Sequence, residues 1–183
     1  KQGLVADILP TPTFALSRKE FRDWAGERTR FRMEDFYRSQ RRRFGVLMDG
    51  DDPVGNRWNY DKDNREPPPK KQSTLELPAP YRPREDDIDD AVRRDLDRMD
   101  LDTVGADGPR LFAVTPAEAK RALARFVDHR LPTFGRYEDA VMGDDWAMSH
   151  SLLSVPLNLG VLHPLDAVDA AERAYRDKNA PLA

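Results

Sequence analysis

Between Asp49 and Pro83 the chain reads DGDDPVGNRWNYDKDNREPPPKKQSTLELPAPYRP, and this stretch limits the possible folds more than any other. Pro67, Pro68 and Pro69 remove three successive backbone donors and fix φ near about −65°, so no helix crosses them. Neither helical nor strand periodicity is sustained on either side. A structureless loop of this length is unusual inside one compact domain, which predicts a connector between two domains. Trp58 and Tyr60 in its first part predict that this part is pinned against a neighbouring surface.

The rest of the composition fits two thin folded ends around that middle. The chain has 183 residues, 39% of them hydrophobic and 34% charged. Its Val, Ile, Leu and Phe make up about 21%, just above the roughly 20% below which highly charged chains stay disordered. No apolar run approaches the about 18 residues of a membrane helix, and no secretory signal pattern opens the chain, so a soluble, cytoplasmic protein is expected. The start at Lys1 and the close just after a helical pattern read as an excised piece. With no cysteine, disulfides and thiolate metal sites are excluded within these residues. His129, His150 and His163 lack metal-ligand spacing, so no metal site is expected. The net charge of −3 hides an arginine-rich region from 18 to 43 and an acidic one from 85 to 107.

Residues 4–16 mix β-branched and apolar side chains with Pro10 and Pro12, predicting a short strand and an irregular connection. Ser17 and Glu20 form a capping-box pattern that starts a helix carrying Phe21 and Trp24. Over 32–45, Met33, Phe36, Tyr37 and Phe44 share a helix face whose burial is expected. From Asp86, Ile88, Val92, Leu96 and Met99 mark a further helix, with acids early and arginines late as the helix dipole favours. Thr115, Pro116 and Glu118 predict another start, with Glu118 as the box partner. Phe134, Tyr137 and Val141 continue helical spacing, residues 151–159 read as an apolar helix, and Pro164 begins the last one.

Three stretches are candidates for chemistry. Arg28, Arg30, Arg32, Arg38, Arg41, Arg42 and Arg43 are suited to nucleic-acid phosphates, although interleaved Glu27, Glu34 and Asp35 favour a solvated mixed-charge face. Residues 149–154, SHSLLS, put hydroxyls at the start of an apolar helix, where free N–H groups and the dipole attract a phosphate. On spacing alone, plain capping by Ser149 or Ser151 is the favoured reading. The loop 53–65 is rich in Asn and Asp and reads as a self-satisfied turn structure. No catalytic dyad or triad is evident.

In order along the chain, RMEDFYR (32–38), GVLM (45–48), PVGNRWNYDKDNR (53–65), Val114-Thr115 with EAKRALARFVDHRLPTFGRYEDAV (118–141), and HSLLSVPLNLGVLHP (150–164) resemble the prokaryotic photolyase/cryptochrome-related family, in its iron-sulfur-containing bacterial (6-4) branch. The resemblance implies a mainly α chain with a minor α/β remnant at its N-terminus: residues 1–48 closing an antenna domain, 49–110 a connector with one helix, and 111–183 the first part of a helical FAD-binding domain. It implies FAD as cofactor, with Tyr137, His150, Ser151, Leu153 and Ser154 at the family's flavin-contacting positions. It also strengthens Arg38, Arg41, Arg42 and Arg43 as DNA or interdomain contacts.

The implied function is light-driven repair of DNA carrying UV lesions, by electron transfer from reduced FAD to a flipped pyrimidine photoproduct. A cryptochrome-like blue-light photoreceptor is the alternative, and the 183-residue piece alone is expected to be inactive. An iron-sulfur cluster and an antenna chromophore are expected only in a longer parent. Asn56 stands where the family usually has a second glycine; asparagine tolerates positive φ, so the turn is expected to survive. Phe112 stands where a tryptophan is common.

Overall fold

The computed structural model describes residues 9, 11, 13–105 and 107–183. Most of the strand expected over 4–16 lies outside the described residues; Leu9, Thr11 and residues 13–16 form no strand. The described chain is mainly helical with one small two-stranded sheet. None of its helices is long and apolar enough to cross a membrane.

Local capping explains where the longer helices begin. Helix α1 (Arg18–Ala25) starts at Ser17, whose hydroxyl accepts from Glu20 N while Glu20 takes the Ser17 N–H. That backbone bond, the Ser17 hydroxyl and Arg43 hold the Glu20 carboxyl down at about 2. Helix α2 (Met33–Phe44) ends at Gly45, whose φ of 68° is the left-handed conformation that closes a helix. Phe21, Trp24, Phe31 and Phe36 form an aromatic cluster between these two helices, with centroids 4.9–6.4 Å apart. The face expected to be buried on α2 is only partly so: Phe36 and Phe44 are half-buried, whereas Met33 and Tyr37 are exposed. Met33 is the first residue of the helix.

A tight hairpin follows, β1 (Met48–Asp49) paired antiparallel with β2 (Asp52–Pro53), Met48 opposite Pro53. The next turn, Val54–Asn56, needs positive φ twice, 75° at Gly55 and 55° at Asn56, so the turn does form with asparagine in the second place. From residue 57 to 86 there is no regular secondary structure. This stretch is nonetheless tied along its length to residues 121–145. Glu66 N donates to Arg136 O at 3.0 Å, Leu75 N to Asp145 at 2.9 Å, Arg125 Nε to Ala79 O at 3.0 Å and Arg121 Nε to Tyr81 at 3.1 Å.

Helix α3 (Asp87–Met99) has a complete capping box from Asp86 and Asp89. Its apolar stripe of Ile88, Val92, Leu96 and Met99 is present but exposed. Helix α4 (Pro116–His129) is capped by Thr115, as expected, but the Glu118 carboxylate takes the Val114 N–H rather than completing the box. Helices α5 (Leu131–Phe134) and α7 (Pro164–Arg176) pack on α4. The main core joins Ala113, Ala119 and Leu123 to Leu153 and Leu162.

The helical spacing at Tyr137 does not continue. After a 3-10 turn over Gly135–Tyr137 the chain straightens, so alternate residues Ala140 and Met142 turn inward and Val141 outward. The helix expected over 151–159 is reduced to α6 (Ser154–Asn158), because Leu152 sits at φ 57°, which no right-handed helix accommodates. Finally, Leu47 N donates to Glu172 of α7 at 3.1 Å, linking the hairpin to the last helix.

Candidate functional site

The segment 147–153 leads into α6 through two left-handed residues, Met148 and Leu152, and is held from below by Asp145. That carboxylate accepts from Met148 N at 2.7 Å and from Leu75 N at 2.9 Å, fixing the segment and the connector on one anchor. Leu153 is the N-cap of α6 and is buried in the main core, so its side chain sets the depth of the helix start. Neither Ser149 nor Ser151 caps α6. Ser151 Oγ accepts from Leu153 N at 3.4 Å, outside the helix, while Ser149 is fully buried with no hydrogen-bond partner for its Oγ among the described residues.

His150 is half-buried and meets Phe134 edge-on at 6.3 Å, and Phe134 meets Phe126 at 6.0 Å. Tyr137 lies instead against Ala140, Met142 and Met148, with the Arg136 guanidinium 5.4 Å from its ring. The expected site residues thus divide between two packed clusters: Leu153 belongs to the main core, Tyr137 packs with Met148 in the second, and His150 meets Phe134 of α5. Ser154 is exposed at the helix start. Its N–H and that of Val155 lack intrahelical acceptors, as any first turn requires, and Pro156 contributes none. The donors present, two serine hydroxyls and these N–H groups, fit a phosphate-bearing cofactor.

Sequence reasoning missed Arg130. It is the C-cap of α4, 3% exposed, and its Nε and Nη1 have no hydrogen-bond partner among the described residues. Burial pulls its pKa down, partly offset by the charge of Asp145. No periodicity marks it, because its burial comes from the return of residues 151–152 and the connector over the end of α4.

The arginine region is arranged differently from an open phosphate-binding face. Arg41 is 7% exposed and donates to Val46 O at 3.2 Å, Leu47 O at 2.7 Å, Trp58 O at 3.3 Å and Tyr37 Oη at 3.0 Å. Trp58 is pinned, as its sequence position implied: the guanidiniums of Arg42, Arg38 and Arg41 lie 4.4, 5.2 and 5.4 Å from its ring. Arg38 also pairs with Glu34 at 2.7 Å, and Arg43 pairs with Glu20 of α1. Arg42 and Arg43 remain exposed. The loop 53–65 closes on itself through Asp63 N to Tyr60 O at 2.7 Å and Arg57 to Asp63 at 2.9 Å.

Residues 1–112 match the family described as "Deoxyribodipyrimidine photo-lyase-related protein". A (6-4) photolyase of Agrobacterium fabrum is 42% identical over 182 residues, covering 98% of this chain and 35% of that protein. An uncharacterized protein of Acanthamoeba polyphaga mimivirus is 34% identical over 65 residues, 33% of each chain. The chain therefore spans about a third of the length of these relatives. The segment 150–164 falls outside the family match but is reached by the photolyase similarity, which runs over nearly the whole chain. The chain belongs to the deoxyribodipyrimidine photo-lyase-related protein family.

Proposed function

We propose that this chain is part of a flavin-dependent, light-driven DNA repair enzyme, acting on a pyrimidine photoproduct of the (6-4) type. The observation that carries the reading is the 42% identity to a (6-4) photolyase through 98% of the chain, a span that takes in Tyr137 and residues 150–154. Residues 1–48 would close the antenna domain, 49–110 connect, and 111–183 begin the FAD domain. The absence of regular secondary structure from 57 to 86 supports this division.

In this reading Ser151, Ser154 and the free N–H groups of the first turn of α6 hold the FAD phosphates. His150, braced by Phe134, and Tyr137 line the approach, and Leu153 anchors the turn in the core. A reduced flavin bound there supplies a light-activated one-electron donor to a base flipped out of the duplex. The role of these residues is to bind and orient it.

Replacing Ser151 and Ser154 together by alanine is expected to weaken FAD binding about ten-fold or more, since each hydroxyl lost is a hydrogen bond to a charged group. Riboflavin, which has no phosphate, should bind the double variant as it binds the unaltered protein. Fluorescence titration of both ligands measures this. An unchanged FAD affinity in the double variant would remove residues 151 and 154 from the phosphate site.

A further inference from the structure

Pro80 and Pro83 hold the connector extended where it passes α4, since each fixes its own φ and disfavours helical geometry in the residue before it. Helix α4 pins this stretch from two successive turns. Arg125 Nε donates to Ala79 O at 3.0 Å, and Arg121 Nε donates to Tyr81 Oη at 3.1 Å, with its guanidinium 5.6 Å from the Tyr81 ring. Tyr81 and Pro83 are half-buried while Arg82 and Arg84 are exposed, which is the alternation of an extended chain lying on a surface. The two arginines therefore stand on one outward side, roughly 6.6 Å apart along two residues of extended backbone.

Neither makes an ion pair among the described residues, whereas Arg93 and Arg110 further along are held by carboxylates. Arg82 is stacked instead. Its guanidinium lies 5.1 Å from the ring of Trp146, and that indole is 53% exposed, although tryptophan is on average a well-buried residue. Stacking holds the planar fork in place without using any of its donors. Asp145, next to Trp146, spends its carboxylate on the N–H groups of Met148 and Leu75, which leaves Asp144 as the exposed acid beside the indole. Against that one acid stand the exposed Arg82, Arg84 and Arg121, so the outward charge is cationic.

From this placement we infer that Arg82 and Arg84 grip successive phosphates of a DNA strand, with Trp146 as the platform that presents Arg82. Two fixed guanidiniums in line, with their donors unspent, match phosphodiester oxygens, which take such a fork two-pronged. The choice of DNA as the polyanion rests on the repair reading. Backbone contacts position a duplex without reading its bases, so the grip acts on damaged and undamaged DNA alike.

The test is binding of the protein that carries this chain to a labelled duplex, with and without one (6-4) photoproduct, followed by fluorescence anisotropy in the dark across a salt series. Arg82→Gln and Arg84→Gln should each weaken binding about five- to ten-fold at low salt and lower the slope of log K against log salt by about 1, equally on both duplexes. Their melting temperatures should match the unaltered protein, because both side chains are exposed and unpaired. Arg82→Lys keeps the charge without the stacked fork, so it should keep the slope and bind more weakly. Trp146→Leu should weaken binding by itself and add nothing to Arg82→Gln, since the two losses are one contact. Arg94→Gln, at an exposed arginine of the acidic helix α3, should change neither affinity nor slope. An unaltered slope in the Arg82→Gln, Arg84→Gln double variant, or an equal loss in Arg94→Gln, overturns the inference. Because binding is read in the dark, the two readings fail separately: a protein that shows the grip but leaves the lesion unrepaired in the light loses only the repair reading.

Discussion

Replacing Arg110 by methionine is expected to destabilise the chain by about 3 kcal/mol, far more than loss of an ordinary surface ion pair. Arg110 is the clasp between α3 and α4. Its Nε and Nη2 reach Asp89 at 2.7 and 3.1 Å, its Nη1 and Nη2 reach Glu118 at 2.8 and 3.1 Å, and Nη1 also reaches Phe112 O at 3.2 Å. The Glu118 side chain is 9% exposed. Two-pronged contacts to two carboxylates fix the fork at little further entropic cost, and removing it strands a buried carboxylate. Lysine offers one point charge in its place and should recover only part of the loss.

The acid dependence has a definite sign. Hydrogen bonds from Arg110 are the first cause holding the Glu118 and Asp89 carboxyls below their usual values. Groups with depressed folded pKa values stabilise fully above their unfolded value, about 4, and that contribution is lost as the pH falls through the folded values. Urea unfolding should therefore show the two proteins converging in stability as the pH is lowered below about 4. Adding Glu118→Gln to Arg110→Met should recover part of the loss by removing the stranded charge. Equal stability of Arg110→Met and the unaltered chain at neutral pH would show that desolvation cancels the clasp.

The second large effect is expected at Arg41. Arg41→Met should cost about 2–4 kcal/mol, because it leaves the carbonyls of Val46 and Trp58 without a donor and takes one of two donors from Leu47 O, in a partly closed site. Those carbonyls flank the hairpin and the pinned loop, so the variant should loosen both, with faster amide exchange at Val54, whose N–H bonds Leu47 O at 2.8 Å. Arg42→Ala, on an exposed side chain stacked over Trp58, should change stability by less than about 1 kcal/mol. This contrast bears on DNA binding. A loss of affinity in an Arg41 variant mixes unfolding with lost contacts, whereas Arg42 reports the contact itself through the salt dependence of binding. Comparable unfolding free energies for the Arg41 and Arg42 variants would contradict the structural role given to Arg41.

What the sequence revealed was whatever depends on near neighbours. The starts of α1, α3 and α4 were legible because Ser17, Asp86 and Thr115 bond to N–H groups two or three residues away. The turn at Gly55 and Asn56 was legible because positive φ restricts residue choice. The start of α6 was not, since nothing in SHSLLS announces that Leu152 turns left-handed and delays the helix to Ser154. Nor was the exposure of the α3 stripe, since helical spacing records an apolar face without recording what covers it. At the candidate site the serines and Tyr137 stood out by resemblance, while the buried Arg130 and the double anchor of Asp145 arise only when the connector folds back over α4.

Light-driven repair is tested most directly by conversion of an oligonucleotide bearing one (6-4) photoproduct by the protein that carries this chain, with its flavin reduced, under blue light and in darkness. The lesion is expected to revert to intact pyrimidines in the light and to persist in the dark. A protein that binds flavin and photoreduces it, yet leaves the lesion unchanged in the light, would contradict repair and identify a photoreceptor instead.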